Sequence, residues 1–127
     1  MTPRELLESY GKLLDKLFGL AQETAICRKR ARNGEDNFAY WRRKAELLEL
    51  EARRLNRLIN LRRQQLNQML QKLPNENHRQ VLELRYISLM GYRDISKAMY
   101  TSLRQLYRYH TRGIQCLDSL INTDSIL

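Results

Sequence analysis

The chain has 127 residues, 43% hydrophobic and 29% charged, which suits one compact domain or a small domain with a helical extension. Five Gly and two Pro are few for an all-β protein, whereas the helix formers Leu, Arg, Gln, Glu and Lys dominate. The formal net charge of +9 favours a polyanion: DNA, RNA or an anionic membrane. No apolar run approaches the roughly 20 residues of a spanning helix, so no membrane partner is expected.

The first helix opens at MTPRELLESY. Thr2 can cap it, Pro3 suits the first helical position, and Glu5 can close a capping box. The same stretch carries acids early and lacks a continuous apolar core, so no signal peptide is expected. Leu6, Tyr10, Leu13, Leu17 and Leu20 recur at helical spacing, and Leu7, Leu14 and Phe18 widen the stripe. The helix is expected to end near Arg32, where Arg28, Lys29, Arg30 and Arg32 suit the negative end of its dipole. Asn33-Gly34-Glu35-Asp36 is the break. The basic run reads first as a solvated helix end and second as a phosphate contact. In YWRRK, Trp41 reads as an anchor inside the hairpin.

A long second helix is expected from Asn37 to Lys72. Leu48, Ala52, Leu55, Ile59, Arg62, Leu66, Met69 and Leu73 alternate steps of four and three, the average of a coiled-coil seam. Arg62 is its one polar member, with a stem long enough to snorkel. Leu47, Leu50, Leu58, Leu61 and Leu70 broaden the apolar face. The helix is therefore expected to meet two surfaces: helix one folded back as a hairpin, and a second copy of the chain.

Pro74 disfavours helical backbone at Leu73, and Asn75 can cap the next helix. This gives an all-α chain in three parts: a coiled-coil-like helical hairpin over 1–74, a small helix-turn-helix domain over 75–121, and a flexible tail over 122–127. Residues 1–74 hold 16 Lys or Arg against 9 Asp or Glu, and residues 75–127 hold 7 against 5. Within 92–117, Arg93, Lys97, Arg104, Arg108 and Arg112 face a single acid, Asp94, so the small domain is polarised.

The stretch YRDISKAMYTSLRQLYRYH, residues 92–110, holds two short helical patterns broken near Tyr100-Thr101-Ser102. Ile95, Met99, Leu106 and Tyr109 then face inward, Ser96 is small at the close approach, and Ser102 is a good N-cap. That is helix-turn-helix spacing. The outward face offers Leu103, Arg104, Gln105, Tyr107, Arg108, Thr111 and Arg112. Arg104 and Gln105, near the helix start, suit base edges; Arg108 and Arg112 suit phosphates; Leu103 suits a thymine methyl. Arg93 and Lys97 on the first motif helix complete the candidate DNA-binding set.

The preceding segment HRQVLELRYISLMGYRDIS, residues 78–96, resembles region 4 of sigma-70-type factors. The matching residues are Arg79, Val81, Leu82, Leu84, Arg85 and Tyr86, then Gly91, Tyr92 and Ile95. The run from Ser102 to His110 is closer still to phage-encoded regulators with a region-4-like end, the late-transcription activators of the ArpU type and their relatives. The resemblance covers residues 75–117, and residues 37–74 only in character. It implies a cytoplasmic regulator, in the host cell if phage-encoded, that binds promoter-like double-stranded DNA and contacts RNA polymerase. It places base reading on Leu103, Arg104, Tyr107 and Arg108. Leu103 stands where the family usually has Arg, Arg104 where it usually has an acid, and Thr101 where it usually has an apolar residue. The standard promoter element is therefore not the expected target. No sigma region 2 is visible, so opening DNA is not expected.

A single small module contacts few base pairs, and a homodimer would double them. Two other readings stand beside the regulator: a small terminase-like packaging subunit, and a polymerase- or sigma-binding protein that does not read DNA. No enzyme activity, cofactor or metal is expected. His78 and His110 are the only histidines, without a paired acid or cysteine, and no phosphate loop or nucleophile motif occurs. His110 falls on the candidate DNA helix, where a surface or phosphate role is expected. Cys27 and Cys116 follow no metal spacing and read as free thiols.

Overall fold

The computed structural model describes residues 1–34 and 36–126. Among them every regular element is helical: α1 (Pro3–Arg32), α2 (Phe38–Gln71), α3 (Glu76–Leu82), a π-helical segment (Glu83–Ile87), α4 (Tyr92–Ala98) and α5 (Leu103–Ile126). α1 and α2 form the expected long hairpin, and no helix is long and apolar enough to cross a membrane. The helix starts obey the cap chemistry. Thr2 Oγ1 accepts the Glu5 amide at 3.1 Å, and Asn75 Oδ1 accepts the amides of Asn77 and His78 at 2.9 and 3.3 Å. Across the Pro74 break, Arg79 Nη1 donates to the Leu73 carbonyl at 3.4 Å, tying α3 back to the chain before it. The segment expected as a tail continues α5 as far as Ile126, and Leu127 lies outside the described residues.

The chain forms two compact units, Lys12–Leu61 and the combination of Met1–Gly11 with Arg62–Leu127. Pro74 lies inside the second of them, in the break between α2 and α3. In the unit Lys12–Leu61, Leu20, Cys27, Ala45, Leu55 and Ile59 are buried. Arg28 donates from Nε and Nη2 to Glu49 Oε1 at 2.8 and 2.6 Å, an exposed pair of the kind worth about 0–1 kcal/mol. The Arg30 guanidinium lies 4.4 Å from the Trp41 ring centroid, and Lys44 Nζ lies 5.7 Å away on the same ring. Two members of the basic run are thus engaged within this hairpin, with Trp41 as an anchor.

In the other unit, Leu7, Leu66, Leu70, Leu73, Val81, Leu82, Ile95, Leu106 and Leu117 are each 2% exposed or less. Each leucine buried in this way contributes about 1.5–3 kcal/mol relative to exposure. Arg62 lies half-buried on the seam of α2. Its Nη1 donates to Ser9 Oγ, and Ser9 Oγ donates on to the Leu6 carbonyl at 2.6 Å. Its Nε is buried without a hydrogen-bond partner. A buried donor left unpaired costs about 1–3 kcal/mol, more than one neutral acceptor at Nη1 returns. Arg62→Met is therefore expected to raise stability by about 1 kcal/mol, read as a higher urea midpoint at unchanged slope. A lower midpoint would show that the Ser9 contact outweighs the orphaned Nε.

Candidate nucleic-acid interface

The site is built on α4, the turn after it, and α5. Gly91 opens α4 with extended backbone, and Ile95 is fully buried beneath it. The turn has a specific geometry. The Tyr100 amide donates to the Lys97 carbonyl at 3.3 Å, and the Thr101 amide donates to the Ser96 carbonyl at 3.0 Å. Together these are the paired bonds of a Schellman helix end. Glycine usually takes its left-handed position, yet here Tyr100 does, at φ 51°. Ser96 Oγ donates to the Thr101 carbonyl, and Thr101 Oγ1 donates to the Met99 carbonyl at 3.0 Å. Ser96 therefore serves the turn as a hydrogen-bond donor besides being small. Ser102 caps α5, accepting the Gln105 amide on its Oγ at 3.2 Å.

α5 buries one stripe and exposes the other. Leu106, His110, Gly113 and Leu117 are buried, at steps of four, three and four. The opposite face presents Leu103 at 38% exposure, Tyr107 at 50%, and Arg104, Arg108, Thr111 and Arg112, all exposed. Gln105 is half-buried, and Arg93 and Lys97 are exposed on α4. Tyr107, Arg108, Thr111 and Arg112 are drawn together with Gln115 along an open groove of about 320 Å³. Leu103 and Arg104 lie outside that groove, one turn nearer the helix start. Gln115 is absent from the set expected from the sequence, although it continues the exposed face from Arg108 and Arg112 at helical spacing.

Beneath this face lies an aromatic cluster. The rings of Tyr92 and Tyr107 sit 5.0 Å apart, and the Arg85 guanidinium lies 4.3 Å from the Tyr92 centroid. Tyr107 is thereby steadied at the edge of the cluster while half its surface stays open. Arg85 also donates from Nη1 to the Met90 carbonyl at 3.1 Å, tying the loop before α4 to the π-helical segment. That segment departs from α-helical geometry. Within it Tyr86 is buried.

His110 corrects its sequence reading. It is 8% exposed, and its Nε2 shares a 2.7 Å hydrogen bond with the buried Tyr86 hydroxyl. It belongs to the core rather than to the surface. Burial holds its imidazole below the ordinary range, and the charges of Arg4 and Arg85 add to this. His78, on α3, is likewise held low, by burial and then by Arg112. Gly113 on α5 faces α3 at close range. A Cβ built there would lie 3.1 Å from Leu82 Cδ1 and 3.3 Å from His78 Cβ.

Cys27 and Cys116 are both free, the first buried and the second half-buried. Comparison with protein-family models, curated proteins and solved structures finds no match.

Proposed function

We propose that this protein is a sequence-specific DNA-binding transcription regulator of phage or prophage type that acts as a homodimer and also contacts RNA polymerase. The observation that carries the reading is the exposed face of α5. Six residues suited to DNA stand on one side of a capped helix, directly after a tightly bonded turn, while the opposite side is core. A helix so mounted fits the roughly 12 Å major groove. In this reading Leu103 and Arg104 reach base edges from the first turn. Arg108, Arg112 and the α4 residues Arg93 and Lys97 hold phosphates, and Tyr107 packs against the backbone.

Selection from a randomised duplex library at two salt concentrations tests the reading. An enriched motif is expected at both. Arg104→Ala is expected to reduce discrimination at one position by about 1–3 kcal/mol. Arg112→Ala is expected to weaken all sequences alike and flatten the salt dependence by about one charge. No enrichment, with binding that vanishes at the higher salt, would leave only attraction to phosphate and end the reading.

A further inference from the structure

α2 carries a second apolar stripe, away from its buried seam. Leu47, Leu50, Leu58 and Leu61 are 51%, 42%, 43% and 59% exposed. At about 100° per residue, these four and Arg54 lie within a band about 80° wide. Ala45, Leu55 and Ile59, which are buried, point well away from it. The whole stripe lies in the unit Lys12–Leu61. Scattered exposed leucines need no explanation, but four in one band mark an unpartnered face.

The order of the residues says what covers it. Leu47 and Leu61 stand seven residues before and after Arg54, and Leu50 and Leu58 stand four before and after. The steps along the stripe are therefore three, four, four and three, the same from either end. A parallel pair sets each residue against its own copy in the partner and asks for no symmetry along the stripe. A twofold axis perpendicular to the helix asks for the palindrome that is present, because residue i then meets j and j meets i. Eleven residues out on either side stand Arg43 and Gln65, so polar residues end the stripe at matching distances.

We infer that α2 pairs with α2 of a second copy, antiparallel, with the twofold axis at Arg54. Leu47 lies level with Leu61 of the other copy, and Leu50 with Leu58. The one like-charge contact at the axis is offset by nearby acids. The two Arg54 side chains meet at the axis, and each has the other copy's Glu51 only three residues, about 4.5 Å of rise, away. The contact spans about 21 Å of helix, short of a standard interface, so an association in the micromolar range is expected. The inference rests on the dimer half of the proposed function and not on DNA reading.

Sedimentation of the full chain from roughly 1 to 100 µM is expected to show a monomer–dimer equilibrium. Leu50→Asp with Leu58→Asp should weaken it at least 100-fold while leaving the helical circular dichroism unchanged, since both side chains are half-exposed in a single copy. Disulfide trapping in a Cys27→Ala, Cys116→Ser background gives the orientation. Arg54→Cys should link to itself, and Leu47→Cys should link to Leu61→Cys but not to itself. A monomer throughout, a dimer indifferent to the aspartates, or Leu47→Cys linking to itself would each overturn the inference. No DNA is present in these measurements, so their failure leaves the library result standing, and the reverse holds equally.

Discussion

Gly113→Val is expected to cost about 3 kcal/mol of stability, a large share of the 5–15 kcal/mol typical of a folded domain. Taken alone, removing a glycine from the middle of a helix is favourable by about 1 kcal/mol. Here the first carbon of any side chain already lies 3.1 Å from Leu82 Cδ1 and 3.3 Å from His78 Cβ. Leu82 is fully buried and cannot swing aside, and a Cβ moves only with its backbone. The γ carbons of valine reach further, into α3 itself. Overpacking of this kind costs about 1–3 kcal/mol, and the stiffness of a β-branched side chain adds to it. Urea unfolding should show the midpoint falling at unchanged slope. Gly113→Ala should fall between Gly113→Val and the parent chain. A valine variant as stable as the parent would mean that α3 and α5 can separate without loss. In the proposed DNA-reading role, binding should fall along with stability, because α3 sets the seat of the helix that bears Arg104 and Arg108.

The architecture is legible in the sequence because its signals are local. Thr2, Asn75 and Ser102 are short polar side chains ahead of periodic runs, and each accepts the amide bonds that a cap requires. The seam of α2 is legible for the same reason. Leu55, Ile59, Leu66, Met69 and Leu73 are all buried at the spacing that identifies them. The features hidden from the sequence are set by packing between distant residues. Nothing in Glu83–Ile87 announces a π turn, nor that Tyr86 within it is buried and bonded to His110, 24 residues away.

The place of His110 in the core is written in its register. It comes four residues after Leu106 and seven before Leu117, so it falls on the buried stripe. Its polar character points to the surface, and position outweighs character. Tyr100 shows the opposite case. A tyrosine gives no hint of left-handed backbone, and a glycine there would relieve a strain of order 1 kcal/mol. Its side chain is 97% exposed, so no packing within the chain repays the strain. The outward face of α5 is read by subtraction once the inward residues are placed. That is why Gln105, beside the buried Leu106, turns out half-buried rather than fully presented.

Acid should destabilise the C-terminal helices, and His110 should be the main reason. Its imidazole is buried against Tyr86 and Tyr92, with ring centroids 5.6 and 6.0 Å away. Burial opposes the charged form first, and Arg4 and Arg85 oppose it further, against a smaller pull from Glu8. The folded state therefore releases the proton at a lower pH than the unfolded chain, whose imidazole titrates near the usual value of about 6.5. Between those two values the unfolded chain binds more protons, so stability is complete above about pH 6.5 and declines as pH falls toward the folded value. His78 is shifted in the same direction and deepens the decline. Thermal melts from about pH 7.5 to 5 should show the transition moving down. His110→Gln keeps a partner for the Tyr86 hydroxyl and removes the titration, so its melts should depend less on pH. His110→Ala leaves that hydroxyl unpaired and opens a cavity, at a cost of about 3 kcal/mol at neutral pH. If His110→Gln keeps the full acid dependence of the parent, the buried neutral imidazole is not its source. If His110→Ala melts like the parent at neutral pH, the bond to Tyr86 does not hold α5 against the π-helical segment.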